Sequence, residues 1–146
     1  MIRRPLTIAT AQSSIGADPR TNGIQIRQLM QQARAAGASL VHFPEGAISG
    51  YPKSEIRSWD AVDWPALRQE LDATASHARS LGIAVVLGSA HPLTPSHRPH
   101  NSLYVISAAG ELVDRYDKRY CSHSEITDWF SPGFEACVFE VDGWRF

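Results

Sequence analysis

Apolar residues fall into short continuous runs and longer runs at helical spacing, and the two kinds alternate along the first half of the chain. Residues 6–12 (Leu-Thr-Ile-Ala-Thr-Ala-Gln) combine β-branched and small side chains and fit a buried central strand. Residues 13–22 hold Gly16, Asp18 and Pro19 and read as a loop. After it Ile24, Ile26, Leu29, Met30 and Ala33 keep a helical spacing up to a stop at Gly37. Leu40, Val41 and Phe43 make the next short strand, so strand, helix and strand follow within the length of a right-handed βαβ unit. The pattern then repeats. Pro65 opens a helix, Leu67, Leu71, Ala75 and Ala78 line one face of it, and Gly82 ends it. Residues 83–90, the most apolar run, read as a fully buried strand.

The second half switches to hairpins. Residues 101–107 and 112–116 read as strands joined by the tight turn Ala108-Ala109-Gly110-Glu111. Pro132-Gly133 marks another turn, and residues 136–141 alternate into a strand. Asp142-Gly143 is a strong hairpin signal that makes Trp144-Arg145-Phe146 the opening of one more strand. Residues 51–65 are irregular, with room for a short helix, and residues 91–100, with three Pro and three His, read as a loop. No repeat, low-complexity tract or linker places a domain boundary within residues 1–146.

Composition narrows the function classes. A chain of 146 residues, 43% hydrophobic and 20% charged, has ordinary globular composition and supports a real core. Fourteen Lys plus Arg against fifteen Asp plus Glu give a net charge of -1, which argues against nucleic acid or an anionic membrane surface and toward a small-molecule or protein partner. No run of about 18 apolar residues is present for a membrane span. Residues 1–7 lack the apolar stretch of a signal peptide, so a cytoplasmic address is the expectation. Two cysteines, Cys121 and Cys137, are too few for a disulfide scaffold and read as reduced thiols.

Candidate chemistry starts at Glu45. It follows a buried strand directly and is fenced by Pro44, which stops the strand, and Gly46, which permits a turn other residues resist. Strand ends in α/β proteins collect functional groups, because the sheet positions the side chain while the following loop leaves it accessible. His91, His97 and His100 invite a zinc reading, but no Cys or carboxylate lies among them, and they read as part of a surface loop with no metal. Trp59, Trp64 and Trp129 suit either a pocket lining or a core or interface position.

Three separated segments resemble the nitrilase superfamily of carbon–nitrogen hydrolases. Ile8-Ala9-Thr10-Ala11-Gln12 is similar to its opening strand, Phe43-Pro44-Glu45-Gly46 with Gly50-Tyr51 to its glutamate motif, and Tyr116-Asp117-Lys118 to its lysine motif. Asn101-Ser102 and Ser131-Pro132-Gly133 fall in the family's order as well. The resemblance implies an αββα sandwich of two mixed sheets with helices outside, commonly dimeric. This chain would supply about the first half, a partial carbon–nitrogen hydrolase domain over residues 1–146 made of a mixed sheet with helices on one face.

By resemblance Glu45 is the general base, Lys118 the cation that steadies a tetrahedral intermediate, and Glu125 the second glutamate that positions the other groups. The substrate class is a nitrile or amide, and no cofactor is implied. The family's nucleophilic cysteine follows the Gly-Trp-Arg-Phe type of strand opening and falls beyond Phe146. Cys137 lies in an alternating run and reads as a buried, inert thiol. Cys121 follows Lys118 by three residues, too close for the family nucleophile, although the nearby cation is expected to lower its pKa. The expectation is a C–N hydrolase site inactive without that cysteine, completed by a C-terminal segment or a homo-oligomer. The alternative is a non-catalytic, self-associating or partner-binding module that keeps the fold.

Overall fold

The computed structural model describes residues 5–146, so the reading of residues 1–4 as part of a leaderless start lies outside the described residues. Five strands form one mixed sheet in chain order: β1 (Ile8–Thr10), β2 (Leu40–His42), β3 (Ala84–His91), β4 (His100–Ile106) and β5 (Leu112–Asp117). The pairs β1–β2 and β2–β3 are parallel, each joined by a helix, whereas β3–β4 and β4–β5 are antiparallel. A short hairpin, β6 (Glu140–Val141) and β7 (Trp144–Arg145), stands apart from this sheet.

The two connecting helices are α1 (Pro19–Ala35) and α2 (Trp64–Leu81). Residues 13–22 are therefore not all loop: Pro19 occupies the first turn of α1, and the Asp18 carboxylate accepts the backbone N–H groups of Arg20 and Thr21. An Asp-Pro pair supplies both the cap and a preset φ, and it starts the helix ahead of its apolar stripe. At α2 Asp63 plays the same part for the Ala66 N–H, and Gly82 closes the helix in the left-handed region at φ 62°.

Both helices cover the same face of the sheet. Ile26, Met30 and Ala33 of α1 and Leu67, Leu71 and Ala78 of α2 pack on Val41, Val85, Leu87, Tyr104 and Ile106. The opposite face carries Leu40, Ala84 and Val86, which meet Val141 of β6 together with Leu6, Leu103 and Phe139. Strand alternation thus divides the sheet into an outer, helix-covered face and an inner face. No helix of the described residues is long and apolar enough to cross a membrane.

Further expectations change. The first strand is not central: among the described residues β1 is an edge of the sheet, paired only with β2, and Ile8 is half exposed. Residues 136–141 do not form a full strand, because the ladder partner supplied by the hairpin reaches back only to Phe139, whose N–H and C=O bond reciprocally with Phe146. Cys137 accordingly lies outside any strand and is only partly buried. His91 and His100 belong to β3 and β4 rather than to the loop between them, and their ring nitrogens contact the Tyr104 hydroxyl and the Ser131 carbonyl at 2.7 Å each.

Candidate active site

Glu45 is held by a turn that crosses the end of the sheet. Phe43 still pairs with β3 through Val86, and then the chain leaves the ladder at Pro44. Gly46 (φ 62°) and Gly50 (φ 84°) shape the turn, closed by the Gly50 N–H on the Gly46 carbonyl at 2.8 Å. Ile48 N–H bonds the Gly88 carbonyl, the Ser49 hydroxyl accepts the Ala90 N–H, and the Asn22 amide reaches the Ile48 carbonyl from α1. Gly88 makes the crossing possible, since a Cβ there would lie 2.0 Å from the Pro44 oxygen.

Lys118 follows β5 directly, and its backbone N–H bonds the Asn101 carbonyl at 2.7 Å. Glu125 opens a π-helical turn, Glu125–Trp129. That turn is tied back by the Trp59 indole, which donates to the Trp129 carbonyl, and by Arg98, which donates to the Thr127 and Ile126 carbonyls.

The structure brings Glu45, Lys118 and Glu125 together. The Lys118 ammonium donates to Glu45 Oε1 at 2.8 Å and to Glu125 Oε1 at 3.0 Å. Asn101 adds its amide to the same Glu45 oxygen at 3.1 Å. Glu125 is almost fully buried and is further bonded by the Tyr51 hydroxyl at 2.9 Å and the Ser122 N–H at 2.7 Å. The Glu45 side chain, 44% exposed, opens to a cleft of about 270 Å³ lined by Asn101, Leu103, Tyr116, Lys118 and Tyr120.

Burial works against the Lys118 charge, but its hydrogen bonds to the two carboxylates outweigh that and raise its pKa above the ordinary lysine value. Burial likewise opposes the Glu125 charge. The Ser122 N–H, the Lys118 ammonium and the Tyr51 hydroxyl prevail and hold its carboxyl down at about 2. Burial and the bond to Glu125 push Tyr51 up to about 12. One ammonium between two carboxylates thus forms a fixed polar constellation at the edge of an accessible cleft.

Cys121 does not match the expectation of a lowered pKa. Burial, followed by the Glu125 charge, raises Cys121 despite the neighbouring lysine, and its thiol points at the Lys118 carbonyl at 3.7 Å. Burial and Asp114 push Cys137 up to about 11. Tyr51 and Asn101, which touch the acidic groups directly, carry no role in the sequence reading. Both lie in segments that carry the resemblance, and their places in the fold explain the contacts: Tyr51 ends the Glu45 turn, and Asn101 sits opposite the strand that leads into Lys118. Among the described residues, no cluster of His, Cys, Asp and Glu suits a metal ion.

Two helices on one face of a mixed sheet, with a Glu–Lys–Glu constellation beside an open cleft, define an α/β layer with an accessible polar site. Residues 7–143 match the family model described as carbon–nitrogen hydrolase, and the chain belongs to that family within the nitrilase superfamily. It is 32% identical over 142 residues to a nitrilase of Pseudomonas syringae pv. syringae, an alignment spanning 86% of this chain and 40% of that protein. It is 27% identical over 130 residues to a glutamine-dependent NAD(+) synthetase of Acinetobacter baylyi, covering 86% of this chain and 23% of the relative. Against the solved amidase from Nesterenkonia sp. AN1, in a mutant form with acrylamide added at its active-site cysteine, the TM-score is 0.79 at 27% identity over 97% of this chain and 55% of that one. The chain therefore spans less than half the length of these curated relatives and about half of the solved amidase.

Proposed function

We propose that residues 1–146 are part of one carbon–nitrogen hydrolase domain, with Glu45 as general base, Lys118 as electrostatic stabiliser and Glu125 as the carboxylate that fixes both Lys118 and the bound substrate. The observation that carries this reading is the Lys118 ammonium bridging the two carboxylates at 2.8 and 3.0 Å beside an open cleft. The substrate is a primary amide or nitrile. A cysteine thiol from outside residues 1–146 passes its proton to Glu45 and attacks the carbonyl or nitrile carbon. Lys118 balances the charge that develops on the substrate heteroatom. For an amide, Glu45 returns the proton to the leaving nitrogen, and water then cleaves the thioester. Neither Cys121 nor Cys137 is assigned as that thiol: Cys121 turns its Sγ to the Lys118 carbonyl at 3.7 Å, and Cys137 lines the inner-face cleft with Val86 and Phe139 rather than the cleft at Glu45.

Ammonia release from propionamide and propionitrile tests the assignment. The expected result is no turnover by residues 1–146 alone, with propionamide shifting the side-chain ¹⁵N signal of Lys118 in the wild type and not in Glu45→Gln. Turnover that disappears in Cys121→Ala would move the nucleophile into this chain. A Lys118 signal indifferent to amide would overturn the site itself.

A second reading has its own observation. A cleft of about 320 Å³ on the inner face is lined by Val86, Leu103, Val105, Tyr116, Cys137 and Phe139, among others, and suits a covering layer from another segment or a second copy. Sedimentation tests this reading, which predicts self-association of residues 1–146; a monodisperse monomer counts against the self-associating module.

A further inference from the structure

The outer face of the sheet, directly behind the Glu45–Lys118 pair, holds a charged cluster that the proposed chemistry does not use. Arg115 on β5 forks onto Asp117, with Nε to Oδ1 at 2.8 Å and Nη2 to Oδ2 at 2.9 Å. Its remaining Nη1 donates to His91 Nε2 at 2.7 Å, across the intervening strand β4. An arginine only donates, so that histidine nitrogen carries no proton, and the proton sits on Nδ1, 2.7 Å from the Tyr104 hydroxyl. The Ser102 hydroxyl donates to Asp117 Oδ1 at 2.6 Å, and His100 Nε2 stands 3.8 Å from Oδ2. The Asp117 and Arg115 side chains are 17% and 32% exposed, so the carboxylate is mostly covered while the guanidinium is partly open to water.

The placement of these groups follows from strand alternation. Asp117 faces outward and Lys118 is the next residue. On β4, His100 and Ser102 face outward, and Asn101, between them, faces inward. Asp117 therefore contacts both neighbours of Asn101 and immediately precedes Lys118, and those are the two residues whose side chains hold Glu45 Oε1. Gly133 presses on the same point, its N–H on the Lys118 carbonyl at 3.0 Å, and a Cβ there would lie 2.3 Å from the Asp117 oxygen. The strand β5 is an edge of the five-stranded sheet with ladder bonds on one side only, so its last residues depend on such side-chain ties.

We propose that Asp117 is a positioning residue of the active site, clamped by Arg115 and Ser102 so that Lys118 and Asn101 present their side chains to Glu45 on the opposite face of the sheet. This rests on the reading of Glu45 and Lys118 as the base and cation of the site. The clamp sets the reach of the ammonium without touching substrate. Arg115, anchored in turn to His91, extends the clamp over three strands.

The chain has two lysines, Lys53 and Lys118, and so carries its own reference for a test. Trace acetylation with acetic anhydride at pH 8, followed by mass spectrometry of the two sites, gives the ratio of Lys118 to Lys53 reactivity. A merely structural role would leave that ratio in the folded protein unchanged. Asp117→Asn is expected to raise it at least about fivefold and Ser102→Ala about twofold, while the core variant Leu71→Ala, destabilised on the other side of the molecule, leaves it at the wild-type value. If Asp117→Asn does not fold, Arg115→Gln carries the same expectation. An unchanged ratio in the Asp117 or Arg115 variant, or an equal rise in Leu71→Ala, overturns the proposal. Glu45→Gln separates the two levels: a rise there with none in Asp117→Asn removes the clamp alone. No rise in Glu45→Gln removes the ion pair on which the functional reading stands.

Discussion

Replacing Glu125 by glutamine removes one negative charge and almost no volume from a nearly sealed position. The carboxylate accepts the Ser122 N–H, the Tyr51 hydroxyl and the Lys118 ammonium, and it is held at about 2 against an ordinary 4.5. At 1.36 kcal/mol per pKa unit this is worth about 3 kcal/mol of folding stability at neutral pH. The sign follows from the lowered pKa: the contribution is complete above pH 4.5, where the unfolded carboxyl is also ionised, and is lost as pH falls from there toward about 2. Glutamine still accepts one hydrogen bond, so the variant should be about 2 to 3 kcal/mol less stable at pH 7. For a protein of this size that displaces the urea midpoint by about 1 to 2 M. Urea titrations followed by far-ultraviolet circular dichroism at pH 7, 5, 4 and 3 provide the measurement. A gap between wild type and variant that stays constant from pH 7 to pH 3, or that is below about 1 kcal/mol at pH 7, would refute the reasoning.

Two other changes have equally direct readings. Gly88→Ala places a methyl 2.0 Å from a backbone oxygen of the Glu45 turn, and backbone cannot swing aside as a flexible side chain can; a loss of about 2 to 4 kcal/mol is expected in urea unfolding, and a loss under about 1 would show that the crossing has slack. In alkali, Tyr51 keeps its proton to about pH 12 in the fold, while the unfolded side chain loses it near 10. Stability should therefore fall between those values, and by less in Tyr51→Phe, as read by thermal melts at pH 9 and 11.

The alternation of β-branched runs with helical stripes made the βαβ start and both helices readable, because one buried face per element leaves a period in the sequence. The Asp18-Pro19 helix start was written there too, but it sits ahead of the apolar stripe and reads as a loop when only hydrophobic spacing is followed. Residues 136–138 show the opposite failure, since an alternating pattern makes a strand only where a partner ladder exists. Within the site, Glu45 stood out through Pro44 and Gly46, whereas Lys118 and Glu125 gained a meaning only from the resemblance. Tyr51, Asn101 and Asp117 fell within the segments that carry the resemblance, but their contacts and the Arg115–Asp117 fork could not be read, because strand register and the path of the Glu45 turn decide what they touch. Cys121 illustrates the same limit: a cation three residues away predicts a lowered pKa, and burial with a nearby carboxylate reverses it.

The π-helical turn that carries Glu125 ends in Trp129, whose ring meets Trp59 edge-on at 5.8 Å, and Trp59 in turn lies 5.9 Å from Trp64 and 5.3 Å from Phe130. Three of the four tryptophans are thus gathered beside the turn that carries Glu125, with the indole of Trp59 bonded to the backbone of that turn. Ultraviolet emission from this protein is consequently a local gauge. Because Trp59 and Trp129 pack on each other at that turn, a displacement of the turn alone is expected to change the emission while leaving the circular dichroism of the strands and helices unchanged.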